Sequence, residues 1–156
     1  MNQYGLKNSG NSAIIDQLAY SYQSNSNKLI KVTGNVPSDS QDQLGDFQDG
    51  SDLALEYTYD GNANMSSDAN KKISLIGYNY LNLPDVIRIS GKGSIYYSYA
   101  ASGSKLRKRV VDSTTLPAKV TTTLYVGNAV YTNDTLQFFL TGAGRARPDA
   151  NRQRWV

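Results

Sequence analysis

The sequence predicts an all-β protein, an antiparallel meander of short hairpins, and three observations carry that expectation. A phrase with two tyrosines two residues apart recurs as "LAYSY" (18–22), "LEYTY" (55–59), "IGYNY" (76–80) and "IYYSY" (95–99), with "TTLYV" (122–126) as a weakened copy. In an extended chain residues i and i+2 share a face, so Tyr20 with Tyr22, Tyr57 with Tyr59, Tyr78 with Tyr80 and Tyr97 with Tyr99 each read as an aromatic row on one side of a strand. Between the phrases stand short runs of Gly, Asn, Ser and Asp, the residues that turns require. No segment holds a helical period over a useful length, and "SSDANKK" (66–72) is long enough only for a single helical turn.

Taken in order, residues 1–12 read as a polar lead-in. Ala13 to Tyr22 is a first strand and Asn27 to Gly34 its partner across a Ser/Asn-rich turn. Residues 35–52 form an acidic loop with Asp39, Asp42, Asp46, Asp49 and Asp52, whose spacing does not fit a D-x-[DN]-x-[DN]-G calcium loop and so reads as solvated. Strands are then expected at 53–60, 73–80, 85–90, 94–100, 105–111, 119–126, 129–132 and 135–140. In "YNYLNLPDVI" (78–87), Asn82 tolerates a left-handed backbone in a loop over Leu81 to Leu83, and Pro84 opens the next strand without needing to donate to the ladder. Gly103 is expected at positive φ in the turn between Tyr99 and Lys105. Residues 141–156 are a Gly/Arg-rich tail. The tyrosine pairs lie 37, 21 and 19 residues apart, so the later units repeat at about two strands each and the first interval holds an insertion.

Composition narrows the chemistry. The chain has 156 residues with no cysteine and no histidine, which removes thiol and Ser-His or Cys-His nucleophilic sites, the usual zinc sites and the commonest general base. No two carboxylates are placed on one rigid element, so no catalytic or metal-binding residue is assigned and no cofactor is expected. Net charge is +3, but residues 1–70 hold nine acidic and three basic side chains and residues 71–156 hold four acidic and thirteen basic. The densest cluster is "KLRKR" (105–109); by strict alternation Lys105, Arg107 and Arg109 share one face and Leu106, Lys108 and Val110 the other. It reads as a solvated strand face that discourages edge pairing, so nucleic-acid binding is disfavoured. No apolar run approaches a membrane span, and residues 1–20 lack the order of a signal peptide.

"YTYDGNANM" (57–65), "YNYLNLPDVI", "YYSYAASGSKLRKRV" (96–110) and "YVGNAVYTNDTLQFFLTGAGR" (125–145) resemble successive units of the Rhs/YD-repeat family, in the style of Bacteroidetes Rhs repeat-associated core proteins. The resemblance runs from about Ile14 to the end. The repeat's aspartate after the second tyrosine is present as Asp60, while Gln23, Leu81 and Ala100 stand at the equivalent places of the other units. The family's aspartate-based self-cleaving core motif would lie downstream, no Asp-Pro dipeptide occurs here, and the chain looks like a single partial repeat region, 1–156, of a longer protein. The resemblance implies a segment of a spiralling β-shell, secreted or at the cell surface in the parent protein, that encapsulates or presents a C-terminal toxin or effector.

The expected function is therefore structural and non-catalytic, with Tyr20, Tyr22, Tyr57, Tyr59, Asp60, Tyr78, Tyr80, Tyr97, Tyr99 and Gly103 as repeat-defining residues. Its partners are the rest of its own chain and, through edge strands such as 135–142, further copies of itself. The competing class is a carbohydrate- or ligand-binding module in which exposed tyrosine rows stack on flat ligands.

Overall fold

The computed structural model describes residues 2–6, 12–34, 47 and 49–148, and among these residues the chain forms thirteen strands and no helix. Strands β1 (Asn2–Leu6), β2 (Ser12–Tyr22) and β3 (Leu29–Gly34) make a three-stranded sheet in that order. The others are β4 (Tyr57–Tyr59), β5 (Met65–Asp68), β6 (Ile73–Tyr78), β7 (Pro84–Ile89), β8 (Gly93–Tyr99), β9 (Lys105–Asp112), β10 (Lys119–Val126), β11 (Ala129–Thr132), β12 (Thr135–Thr141) and β13 (Gly144–Ala146). They form a ten-stranded sheet in which every strand neighbours its sequence neighbours. The fold is an all-β antiparallel meander, as the alternating sequence requires. The chain divides into two compact units, Met1–Ser74 and Leu75–Val156.

In the first unit lie the four buried residues found among those described: Val32, Glu56, Tyr57 and Asp68. Tyr57 opens β4 and packs inward, while the segment before it runs beside β3, where the Glu56 N–H donates to the Ile30 carbonyl at 2.8 Å. On its other side the Glu56 carbonyl accepts from the Ala69 N–H at 2.8 Å. A core with two apolar members is small, so backbone bonding carries much of the order in this unit.

In the second unit no described residue is buried, and side chains on both faces of the sheet keep partial exposure. The strands are joined by tight turns. Asn133 and Asp134 both have positive φ (45° and 63°), the conformation of a type I′ hairpin turn, between β11 and β12. Gly93, at φ 134°, opens β8 where a Cβ would sit 2.0 Å from the Val111 carbonyl oxygen, so only glycine fits that approach.

Four expectations need correction. The 1–12 lead-in contains β1, which pairs with β2 over Asn2 to Leu6. The 66–72 stretch is strand β5 followed by a turn, because Asp68 pairs with Ile73 across a Lys72 of φ 56°. Within the 141–156 tail β13 pairs with the end of β12. Tyr80 lies outside the strand: β6 ends at Tyr78 and the loop begins at Asn79. Most of the acidic loop, residues 35–46 with Asp39, Asp42 and Asp46, and residues 149–156 lie outside the described residues.

Candidate functional site

Of the residues singled out in the sequence, Tyr59, Asp60, Tyr78, Tyr99 and Gly103 stand at hairpin ends, where three loops of the same length, 60–64, 79–83 and 100–104, follow Tyr59, Tyr78 and Tyr99. Their backbone bonding is the same. The first residue's N–H donates to the carbonyl of the fifth (Asp60 to Asn64 2.8 Å, Asn79 to Leu83 3.0 Å, Ala100 to Ser104 2.9 Å), and the fourth donates back to the first (Ala63, Asn82 and Gly103 at 3.1, 3.0 and 2.9 Å). The fourth residue is left-handed in each, at φ 65°, 56° and 83°. Gly103 thus has the positive φ its turn demands.

The side chain of the first residue completes two of these loops. Asp60 Oδ1 accepts from the N–H groups of Asn62 (2.9 Å) and Asn64 (2.8 Å), and Asp60 Oδ2 accepts from Asn64 Nδ2 at 3.0 Å. Asn79 Oδ1 accepts from the N–H groups of Leu81 (2.9 Å) and Leu83 (3.1 Å). The residue equivalent to Asp60 is therefore Asn79, not Leu81, and the tyrosine equivalent to Tyr59 is Tyr78. Donation from Asn64 and from the loop N–H groups favours the charged carboxylate and holds Asp60 below the ordinary aspartate value. Ala100 has no such oxygen, and glycine at position 103 meets the φ requirement there instead.

A bulge precedes the loop in the same place. Opposite the step from Ser21 to Tyr22 the partner strand carries one extra residue, Ile30; opposite Thr58 to Tyr59 it is Ser66; opposite Ser98 to Tyr99 it is Leu106. The bulge at Leu106 breaks the strict alternation expected of 105–109. Lys105 lies over the ring of Tyr97 (4.5 Å) and near that of Tyr125 (6.0 Å), whereas Arg109 lies over Tyr96 (5.7 Å). Successive tyrosines point to opposite faces, so Lys105 and Arg109 do too, and the basic cluster is split between them.

Burial differs along the tyrosine set. Tyr57 is buried; Tyr59, Tyr78, Tyr97 and Tyr99 are half-buried; Tyr20 and Tyr22 are exposed, and Tyr80 is 82% exposed. The Tyr59 hydroxyl donates to the Leu29 carbonyl and the Tyr99 hydroxyl to the Pro84 carbonyl, both at 2.9 Å; each acceptor is the first residue of the second strand of another hairpin. Burial pushes the Tyr57 and Tyr99 phenols above their ordinary value. Tyr97 and Tyr99 stand as one row, ring centroids 6.3 Å apart and tilted by 35°.

Sequence reasoning missed Glu56 and Asn70. Glu56 is 1% exposed, and its Oε2 accepts from the Val32 N–H (3.0 Å) and from Asn70 Nδ2 (2.9 Å), while Asn70 Nδ2 also donates to Tyr57 Oη at 3.2 Å. A side-chain carboxylate here stands in for a backbone carbonyl in the ladder beside β3. No pattern announces it, since a lone Glu before "YTY" looks like any exposed acid. Beside this node a groove of about 510 Å³ is lined by Lys28, Ile30, Leu55, Tyr57 and Tyr59, with the Lys28 ammonium 5.6 Å from the Tyr59 ring. Among the described residues no three carboxylates gather as metal ligands. The arrangement holds strands to strands, with the Glu56 carboxylate and the Tyr59 and Tyr99 hydroxyls bonded to backbone groups.

Compared with known proteins, the sequence matches no family model and no curated protein.

Proposed function

We propose that this chain is a non-catalytic structural piece of an Rhs/YD-repeat shell, which in a longer, exported protein encloses or presents a C-terminal toxin or effector. The observation that carries the reading is the identity of the three loops after Tyr59, Tyr78 and Tyr99, in bonding, length and the left-handed fourth residue. Such units add by nearest-neighbour contact, which suits a scaffold. Tyr59 and Tyr99 use their hydroxyls as ties to another hairpin, which also supports a structural assignment.

The carbohydrate-binding reading keeps one observation, the exposure of Tyr22 and Tyr80. A glycan array and saccharide-difference NMR on the purified chain separate the two. The scaffold reading expects no saccharide signal, with loss of thermal stability for both Asp60→Ala and Asn79→Ala, the larger for Asp60 with its three bonds. A saccharide bound by the wild type and lost in Tyr80→Ala would replace it with the binding-module reading. In the parent protein, protease resistance of the C-terminal domain, lost on removal of the repeat region, tests enclosure.

A further inference from the structure

We propose that Leu116 of one copy of this chain enters an apolar pocket beside Gly93 of a second copy, and that the second copy's Leu116 enters the first in return. The pocket arises from the register. Ile89, Gly93 and Asp112 lie abreast on β7, β8 and β9, and the next row on the same face is Ile87, Ile95 and Val110. The middle of the first row has no side chain, because a Cβ at Gly93 would sit 2.0 Å from the Val111 carbonyl oxygen. What is left is a hollow of about 250 Å³ walled by Ile89, Ile95 and Val110, with Lys92, Asp112 and Thr114 also lining it. The three aliphatic walls are half-buried, so each still meets water in the single chain.

Two residues beyond Thr114 stands the group that fits it. Leu116 is 100% exposed, and Pro117 and Ala118 beside it are exposed as well. Its loop, residues 113–118 between β9 and β10, is pinned at the start. The Ser113 N–H donates to the Lys92 carbonyl at 2.8 Å, and Asp112 Oδ1 accepts from the Thr114 N–H at 2.9 Å and from the Thr114 hydroxyl at 2.6 Å. A leucine held fully in water by a fixed loop loses little freedom on entering a neighbour's pocket.

Volume, symmetry and charge select a second copy as the occupant. An apolar cavity of about 150 Å³ takes a benzene ring, so the larger hollow here has room for the isobutyl group of a leucine. Leucine and pocket adjoin on one stretch of chain, and a two-fold axis beside them makes that surface its own complement. The charges suit the same axis. Among the described residues Lys92 and Asp112 form no ion pair, and Lys119, opposite Asp112 in the ladder, acts on it through space alone. A rim of one sign would repel its own copy, whereas Lys92 of each chain can here face Asp112 of the other. A contact of so few residues falls short of the roughly 1,200 Å² of a standard interface, so the pair is weak and depends on concentration.

Sedimentation velocity at chain concentrations up to about 1 mM tests the association, the range in which a small interface becomes visible. Wild-type mass should rise from one copy toward two. Leu116→Ala, at a fully exposed position that the fold does not depend on, should raise the dissociation constant at least about a hundredfold, since two leucines leave two pockets at once. Lys92→Glu sets like charges against each other and should weaken the pair about tenfold. Methyl NOEs then test the geometry. In a mixture of chains labelled on leucine methyls with chains labelled on isoleucine methyls, they should join Leu116 of one copy to Ile89 and Ile95 of the other. A wild type that stays single throughout would overturn the proposal, as would a Lys92→Glu chain of unchanged affinity. Association that survives Leu116→Ala would do so too, by assigning the contact to strand edges. So would Leu116–Ile95 NOEs in a doubly labelled chain of single-copy mass, by placing the leucine in its own pocket.

Discussion

The hydroxyl of Tyr99 donates to the carbonyl of Pro84 at 2.9 Å, and Tyr59 makes the same bond to Leu29. In each case the last residue of a hairpin's first strand is tied to the first residue of a second strand elsewhere. Phe at either position keeps the ring and orphans the carbonyl. Tyr59→Phe and Tyr99→Phe should each cost about 1 kcal/mol in urea unfolding, while Tyr80→Phe should leave the midpoint unchanged. Equal midpoints for all three variants would show that the hydroxyl ties contribute nothing.

Asp60 makes stability depend on pH. Its folded pKa is depressed, chiefly by donation from Asn64, so the unfolded chain binds the proton more readily and stability rises with pH in that region. The contribution is fully present above the ordinary aspartate value of 3.8 and is lost as pH falls through the folded value. Asp60→Asn should flatten this part of the acid limb and stay folded near neutrality, since Asn79 shows that an amide oxygen can fill the position. Asp112, held down by Thr114, leaves a residual slope in that variant. Thermal scans between pH 2 and 7 check both.

The fourth loop position separates glycine from other residues by backbone alone. At φ 83°, Gly103→Val should destabilise by about 2 kcal/mol, because a β-branched side chain is strained in left-handed backbone. Ala63, at φ 65°, already carries such strain, so Ala63→Gly should be neutral or stabilising by up to about 1 kcal/mol. Denaturant midpoints moving the other way would mean that the loops relax.

Glu56 has one oxygen accepting two hydrogen bonds, whereas its Oε1 and the nearby Asn70 Oδ1 are buried without a partner. Gln at this position keeps an acceptor for the Val32 N–H and replaces an unpartnered acceptor with a donor. Glu56→Gln should therefore be at least as stable as the wild type, and Glu56→Ala should lose about 2–4 kcal/mol by orphaning the Val32 N–H and opening a cavity. Calorimetry of the two variants decides it, and a Gln variant as damaged as the Ala variant would show that the carboxylate itself is needed.

The meander was legible because half-exposed strands write their period directly into the chain, and Gly127 or Asn133–Asp134 mark turns by backbone conformation alone. The hairpin registers were less so. Matching on the tyrosine pair set Tyr80 opposite Tyr59, although the loop is nucleated by an oxygen-bearing residue directly after the last strand tyrosine, which is Asn79. The bulge at Leu106 is hidden because "KLRKR" is charged on both sides, so no hydrophobic alternation reveals the slip. β1 and β13 are polar or glycine-rich and owe their extended form to a neighbouring ladder. Glu56 gave no signal, since one buried acid has no period.

Loops that begin one residue after Tyr59, Tyr78 and Tyr99 come at intervals of 19 and 21 residues. Each loop closes through its own backbone and, where it has one, its own Asx oxygen, so its shape is indifferent to how many hairpins lie upstream or downstream. Adding or removing a hairpin of about twenty residues would therefore leave the geometry of the other loops unchanged. Residues as different as Asp60, Asn79 and Ala100 can then stand at one position, because each loop need satisfy only local geometry.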